Sequence, residues 1–207
     1  GAVDADIVHQ NSGPLGALYD KGGEGDTPSF LNLLSMNRGL SNISFPSAGG
    51  WGDMFIIKSL PNFWYAENNN FNELLRWLPE TNNSFYARCK WEKKDFSSSN
   101  HEPVAAFNKY KSAKFTYLTA DPGDIVRLNA KGSTDPDGDN LSYKWWQYKE
   151  ADSYKGEVII NNSNAVRASF ILLDGIGEGE IHVILEVRDD GDPVLTSYHR
   201  IIISKSG

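Results

Sequence analysis

The side chains best suited to chemistry fall into three groups. The first is acidic. Asp135-Pro136-Asp137-Gly138-Asp139 sets carboxylates at alternate positions around a glycine. That spacing lets oxygens converge on a hard cation such as calcium, which takes about six to eight oxygen ligands. Asp189, Asp190 and Asp192 form a second acidic turn. No glutamate completes the first loop in the EF-hand manner, since Glu150 follows a strong strand. Plain Asp-Gly turns, with side chains capping their own backbone, are the competing reading. The second group is aromatic. Along Leu141-Ser142-Tyr143-Lys144-Trp145-Trp146-Gln147-Tyr148 the side chains of a strand alternate between faces. Leu141, Tyr143 and Trp145 facing a core leave Trp146 and Tyr148 on the other face. These are flat rings suited either to stacking on a pyranose or to burial beneath another domain. Trp51, in the turn Gly49-Gly50-Trp51-Gly52-Asp53, is a further candidate sugar contact, and the turn glycines permit close backbone approach. The third group is a helix start, where Gly22-Gly23-Glu24-Gly25-Asp26 leads into a helix N-terminus. Amide groups there orient a carboxylate or ligand, although Asp26 as a simple N-cap explains the pattern equally.

The catalytic inventory is otherwise thin. His9, His101, His182 and His199 are scattered, with no zinc-protease spacing, no nucleophile elbow and no phosphate loop. Paired carboxylates for glycoside hydrolysis cannot be singled out among 27 acidic residues without a fold. The net charge of −7 argues against a nucleic-acid partner, which needs a basic field. One cysteine, Cys89, excludes an internal disulfide framework and a cysteine-based zinc site. No apolar stretch approaches the roughly 18 residues of a membrane span. The chain opens Gly1-Ala2-Val3-Asp4 without an initiator Met or a signal segment, and so reads as a processed or excised piece.

These groups must be positioned by elements of two kinds, and the character of the sequence changes near residue 112. Before it, Asp26-Thr27-Pro28 opens a helix with Phe30, Leu33 and Leu34 at helical spacing and Gly39 as its stop. A second helix is expected within Asn72 to Trp91, with Leu74, Leu75, Phe85 and Cys89 among its apolar positions and Pro79 kinking or splitting it. After residue 112 the period becomes 2: Val126, Leu128 and Ala130, then Leu141 to Trp145, then Ile181, Val183, Leu185 and Val187, then a strand around Ile201 to Ile203. Acidic, Pro- and Gly-rich turns separate these runs, which predicts an antiparallel β-sandwich of immunoglobulin-like size. The fold class is α+β, with a first region over 1–111 and a sandwich over 112–207.

Several ordered motifs sharpen this. Gly13-Pro14-Leu15-Gly16-Ala17-Leu18-Tyr19, Glu24-Gly25-Asp26-Thr27-Pro28-Ser29-Phe30-Leu31 and Gly49-Gly50-Trp51-Gly52 are followed by Arg76-Trp77, Phe85-Tyr86-Ala87-Arg88-Cys89-Lys90-Trp91 and Asn100-His101-Glu102-Pro103-Val104. The second half adds Gly132-Ser133-Thr134-Asp135-Pro136-Asp137-Gly138-Asp139 and His182-Val183-Ile184-Leu185-Glu186-Val187. With these, nearly the whole chain resembles the bacterial cellulose-binding proteins that join a nucleoside-hydrolase-like domain to a C-terminal immunoglobulin-like domain. The resemblance implies that residues 1–111 are the C-terminal portion of an α/β nucleoside-hydrolase-like domain. It also implies that Asp26 is the last ligand of a calcium site whose other aspartates lie upstream. Departures fall at Ser84, at Lys90 and at His9-Gln10-Asn11-Ser12, and they weaken a claim of retained hydrolysis.

The function expected is carbohydrate binding, of cellulose or a related polysaccharide or oligosaccharide, by a secreted or periplasmic bacterial protein. Trp146, Tyr148 and Trp51 are the sugar contacts, and Asp26, Asp135, Asp137 and Asp139 the candidate calcium ligands. The missing N-terminal part of the same protein is a further partner. Two alternatives stand beside it. One is a share in a calcium-dependent N-ribosyl or glycoside hydrolase. The other is a bracing role in which the sandwich packs on the first region with Trp146 at the junction.

Overall fold

The computed structural model describes residues 27–52, 54–57, 64–66, 76–111, 115–177 and 179–206. Helix α1, Thr27–Asn37, has Pro28 in its first turn, where a missing N–H costs nothing. It ends where expected. Gly39 takes a φ of 83°, its amide donates to the Met36 carbonyl, and the Leu40 amide donates to the Ser35 carbonyl. This is a Schellman close that needs a residue tolerant of left-handed backbone. Helix α2, Leu78–Trp91, corrects the expectation at Pro79: the proline lies in the first turn and opens the helix instead of bending it. Leu74 and Leu75 lie outside the described residues. The buried face of α2 is Thr81, Asn82, Asn83, Ser84 and Ala87, so the helix docks through a polar face and Phe85 and Cys89 stay half-buried.

Two short hairpins join the helices to the rest: β1 (Phe55–Ile57) with β2 (Trp64–Ala66), and β3 (Ala106–Phe107) with β4 (Tyr110–Lys111). The remaining strands are β5 (Thr116–Ala120), β6 (Ile125–Asn129), β7 (Ser142–Gln147), β8 (Arg167–Ile171), β9 (Glu180–Arg188) and β10 (Thr196–Lys205). They form a four-stranded sheet in the order β5-β10-β9-β7 and a two-stranded sheet of β6 and β8. The predicted wholly antiparallel pairing is corrected at one edge, where β5 runs parallel to β10, with Ile201 opposite Thr116. β5 feeds directly into β6 of the other sheet through the Asp121–Asp124 turn, so it sits at the edge beside a strand of distant sequence. The expected boundary at 112 falls outside the described residues.

One core fills the space between the sheets: Val126, Leu128, Trp145, Phe170, Ile181, Val183, Leu185, Val187, Ile201 and Ile203 are among its members. Trp145 is buried as predicted, and its indole N–H donates to the Ala165 carbonyl at 2.9 Å. Strands β9 and β10 are buried on both faces along most of their length. Their second face is covered by residues 38–51, Trp77 and α2, and this covered face holds the groups discussed next.

Candidate functional site

Alternation puts Lys144 and Trp146 of β7, His182, Ile184 and Glu186 of β9, and Tyr198, Arg200 and Ile202 of β10 on the sheet face away from the core. Trp77, just before α2, is the hub of an aromatic cluster there. Its ring centre lies 5.7 Å from Tyr198, 5.8 Å from Trp146 and 6.0 Å from Tyr148. Trp51 packs edge-on against Tyr198 at 6.3 Å, and its indole N–H donates to the Tyr198 hydroxyl at 3.3 Å. Burial pushes that hydroxyl's pKa well up.

This corrects two expected sugar contacts. Trp51 is 1% exposed and Tyr148 0%. The Tyr148 ring faces away from the core as alternation predicts, yet the first region, Trp51 included, covers it. Tyr148 is wedged beneath the 48–50 turn, where a Cβ added at Gly49 (φ 73°) would come within 2.7 Å of the tyrosine hydroxyl. Only glycine allows that approach, in line with the reading of the turn glycines. Trp146 alone of the three is half-buried, with the Arg76 guanidinium 5.8 Å from its ring centre.

The turn is clamped from below by Arg200, which is fully buried. Its guanidinium donates to the carbonyls of Ala48 (2.6 Å) and Gly49 (3.2 Å) and meets His182 Nδ1 at 3.1 Å. The rings of Phe115 and Tyr148 flank it, each centred 5.0 Å away. Burial, with the Arg200 charge adding to it, pushes His182 down to about 3. Burial raises Asp152 to about 6, although its carboxylate accepts the His182 amide at 2.6 Å. A second buried guanidinium, Arg38, pairs with Glu102 and donates to Ser84 Oγ at 3.0 Å and to the Thr196 carbonyl at 3.2 Å. Two positions flagged as departures thus have structural work. Ser84 receives Arg38, and Lys90 pairs with Asp192 at 2.7 Å.

Beside Trp146 a groove of about 370 Å³ opens between α2 and the strands β7 and β9. Arg76, Trp77 and Glu80 form one wall, and Lys144, Glu186 and Arg188 belong to the other. Arg188 bridges the carboxylates of Glu80 and Glu186, with its Nε 2.7 Å from Glu186. Burial raises the Glu80 pKa, and the Arg188 charge opposes that rise. Trp77 Nε1, Trp146 Nε1 and Glu80 Oε2 are all buried without a hydrogen-bond partner. Sequence reasoning missed Trp77, Glu80 and Arg188 as site residues. Arg76-Trp77 is visible only as a family motif, and nothing local in the sequence joins Glu80 to Arg188.

The acidic turn stands apart. Asp135 Oδ1 accepts the amides of Asp137 (2.8 Å) and Asp139 (3.2 Å), while Asp137 is held by the amide of His101 at 2.6 Å and its Nδ1 at 2.9 Å. One carboxylate oxygen from each of Asp135, Asp137 and Asp139 falls within 4.8 Å of the others. Asp135 Oδ2 is buried without a partner, so the donor set fits a hard cation. Burial, then the charges of Asp135, Asp190 and Asp137, raise the Asp139 pKa. The expected ligand Asp26 lies outside the described residues.

Known proteins place this arrangement in a class. Residues 125–205 match the family described as cellulose-binding protein Sde0182, C-terminal domain, and residues 4–55 match that of cellulose-binding Sde182, nucleoside hydrolase-like domain. The two matches fall on the two regions of the chain in order, which defines a class of composite build. A solved nucleoside hydrolase-related hypothetical protein from Saccharophagus degradans, described as associated with carbohydrate metabolism, is 36% identical with a TM-score of 0.82. That match covers 98% of this chain and 53% of the other, so the chain spans about half that protein's length. The chain belongs to the Sde0182 family of cellulose-binding proteins. The PKD domain of the KIAA 1837 protein also matches, at 24% identity over 53% of this chain and 95% of that one, with a TM-score of 0.34. No curated protein matches. Among the described residues, no helix is long and apolar enough to cross a membrane.

Proposed function

We propose that this chain binds a cellulose-type polysaccharide through Trp146, on an immunoglobulin-like sandwich within a secreted or periplasmic protein. The observation carrying this reading is that Trp146 keeps part of its ring open on a groove while Trp51 and Tyr148 are buried. The family supports the ligand class. A single stacked ring contributes about 0.5–1.5 kcal/mol beyond area burial, so each site is weak and retention depends on several sites engaging one polymer. Retention on amorphous insoluble cellulose tests this. Trp146→Ala is expected to lower the bound fraction several-fold while the protein stays folded, with at most a few degrees lost in melting temperature, and equal retention removes Trp146 from the role.

Burial favours the bracing role for Trp51 and Tyr148, which fasten the first region to the sheet. Binding and bracing then divide the aromatic cluster between them. Calcium at Asp135, Asp137 and Asp139 is a separate proposal, supported by the convergent oxygens and the orphaned Asp135 Oδ2.

A further inference from the structure

The groove beside Trp146 differs in kind from a flat stacking platform, and we infer that it takes a single hydrated chain of neutral hexose units, with Glu80 accepting from a sugar hydroxyl. This rests on the carbohydrate-binding reading and specifies its ligand. The geometry first excludes a platform. Docking on a crystalline face requires coplanar rings, but Tyr148 is buried, Trp146 is tilted 52° from it, and Trp77 is tilted 43° from Trp146. One available ring inside a concave site suits one chain.

The polar groups then select the chain. Glu80 has a side chain only 10% exposed, and Trp77 is 2% exposed. Each holds a buried polar atom with no protein partner, as does Trp146: two indole N–H donors and a carboxylate acceptor on residues that line one groove. A buried polar atom left unpaired costs about 1–3 kcal/mol, more when charged, which a ligand able to pair with it recovers. Sugar hydroxyls both donate and accept, so a neutral hexose answers both kinds of atom. The charges discriminate further. The deeply placed ionisable groups are the carboxylates of Glu80 and Glu186, with side chains 10% and 6% exposed, while the cations Arg76, Lys144, Lys149 and Arg188 lie towards the rim, where the water that reaches them screens their charge. An acidic sugar entering past Arg188 meets like charge in a desolvated site, whereas a hydroxyl does not. Arg188, more open than Glu80 and Glu186, is the side chain that must yield for a ring to reach Glu80.

The test compares the full chain with cellohexaose, hydroxyethyl cellulose, polygalacturonate and microcrystalline cellulose. Soluble neutral glucans are expected to bind and polygalacturonate to bind at least tenfold more weakly. Glu80→Gln is expected to weaken cellohexaose binding about tenfold, the loss of one charge-assisted hydrogen bond. A wild-type measurement covers the case of a variant that does not fold: titrating cellohexaose should shift the Trp146 and Trp77 indole N–H resonances ahead of the other tryptophans. Preference for microcrystalline cellulose, equal binding of the acidic polymer, or binding that leaves both the indole signals and Glu80→Gln unaffected overturns the groove proposal and leaves carbohydrate binding standing. Binding to none of the polymers overturns both.

Discussion

The two faces of the sheet are both buried along β9 and β10, yet they are built on opposite rules. The core face is Trp145, Val183, Leu185, Val187, Ile201 and Ile203, aliphatic apart from the one indole and close-packed against β6 and β8. The other face carries His182, Glu186, Tyr198 and Arg200: Arg200 donates to the Ala48 and Gly49 carbonyls of the first region, the Tyr198 hydroxyl accepts from Trp51, and His182 and Glu186 are met by Arg200 and Arg188 of the sheet itself. The core face is specified by shape and volume. The second face is specified by partners, so it stays marginal wherever a partner is missing, and the groove beside Trp146 is such a place.

The contrast is sharpest under large-to-small substitution. Leu185→Ala should cost about 2–5 kcal/mol in urea unfolding, as for any fully buried aliphatic residue. Trp51→Ala on the opposite face should cost about 3–5 kcal/mol, while Trp146→Ala should cost about 1 kcal/mol or less, because only the first ring is fully enclosed. A comparable loss at both tryptophans would break the division between brace and site. Arg200→Ala should cost about 2 kcal/mol by leaving the Ala48 and Gly49 carbonyls unpaired, and it should raise proteolytic nicking of the 45–52 segment.

Buried titratable groups lie on both faces and set the pH dependence together. His182 and His199 are held at about 3 and about 4, below their ordinary 6.5, so each destabilises the fold as pH drops through 6.5. Asp152 and Asp189 are raised to about 6 from 3.8, so each favours folding at low pH and loses that contribution as pH rises towards 6. The two pairs oppose each other between about 4 and 6, where melting temperature should be nearly flat. Between about 4 and about 3 only His182 still acts, and stability should fall there. His182→Gln should flatten that acid limb, and an unchanged limb would show that His182 does not govern it. The smallest expected effect is at the acidic turn. Saturating calcium should stabilise by about 1 kcal/mol through mass action, and Asp137→Asn should abolish the shift; identical melting curves in calcium and in chelator would remove the ion.

Much of the core face was legible in the sequence, because period-2 alternation through Ile181, Val183, Leu185 and Val187 fixes both the strand and its buried side. The helix stop at Gly39 was equally plain. Alternation also gave the right direction for Trp146 and Tyr148, but direction is not exposure. Whether an outward ring meets water depends on a covering segment about a hundred residues away. Pro79 was misjudged because the rule that it breaks helices is positional, and the same residue in a first turn begins one. Glu80 and Arg188 were invisible as a pair for a simpler reason. They are 108 positions apart and meet only once α2 has docked on β9.

Strand β10 supplies Ile201 and Ile203 to one side and Arg200 and Tyr198 to the other, between β5 and β9. A nascent chain that has emerged only as far as residue 195 therefore holds an edge for β5 to join but no strand to fill it, and a loop at Ala48 with nothing to grip. Assembly during synthesis must wait for that final strand, and clipping it away would release both layers in one event.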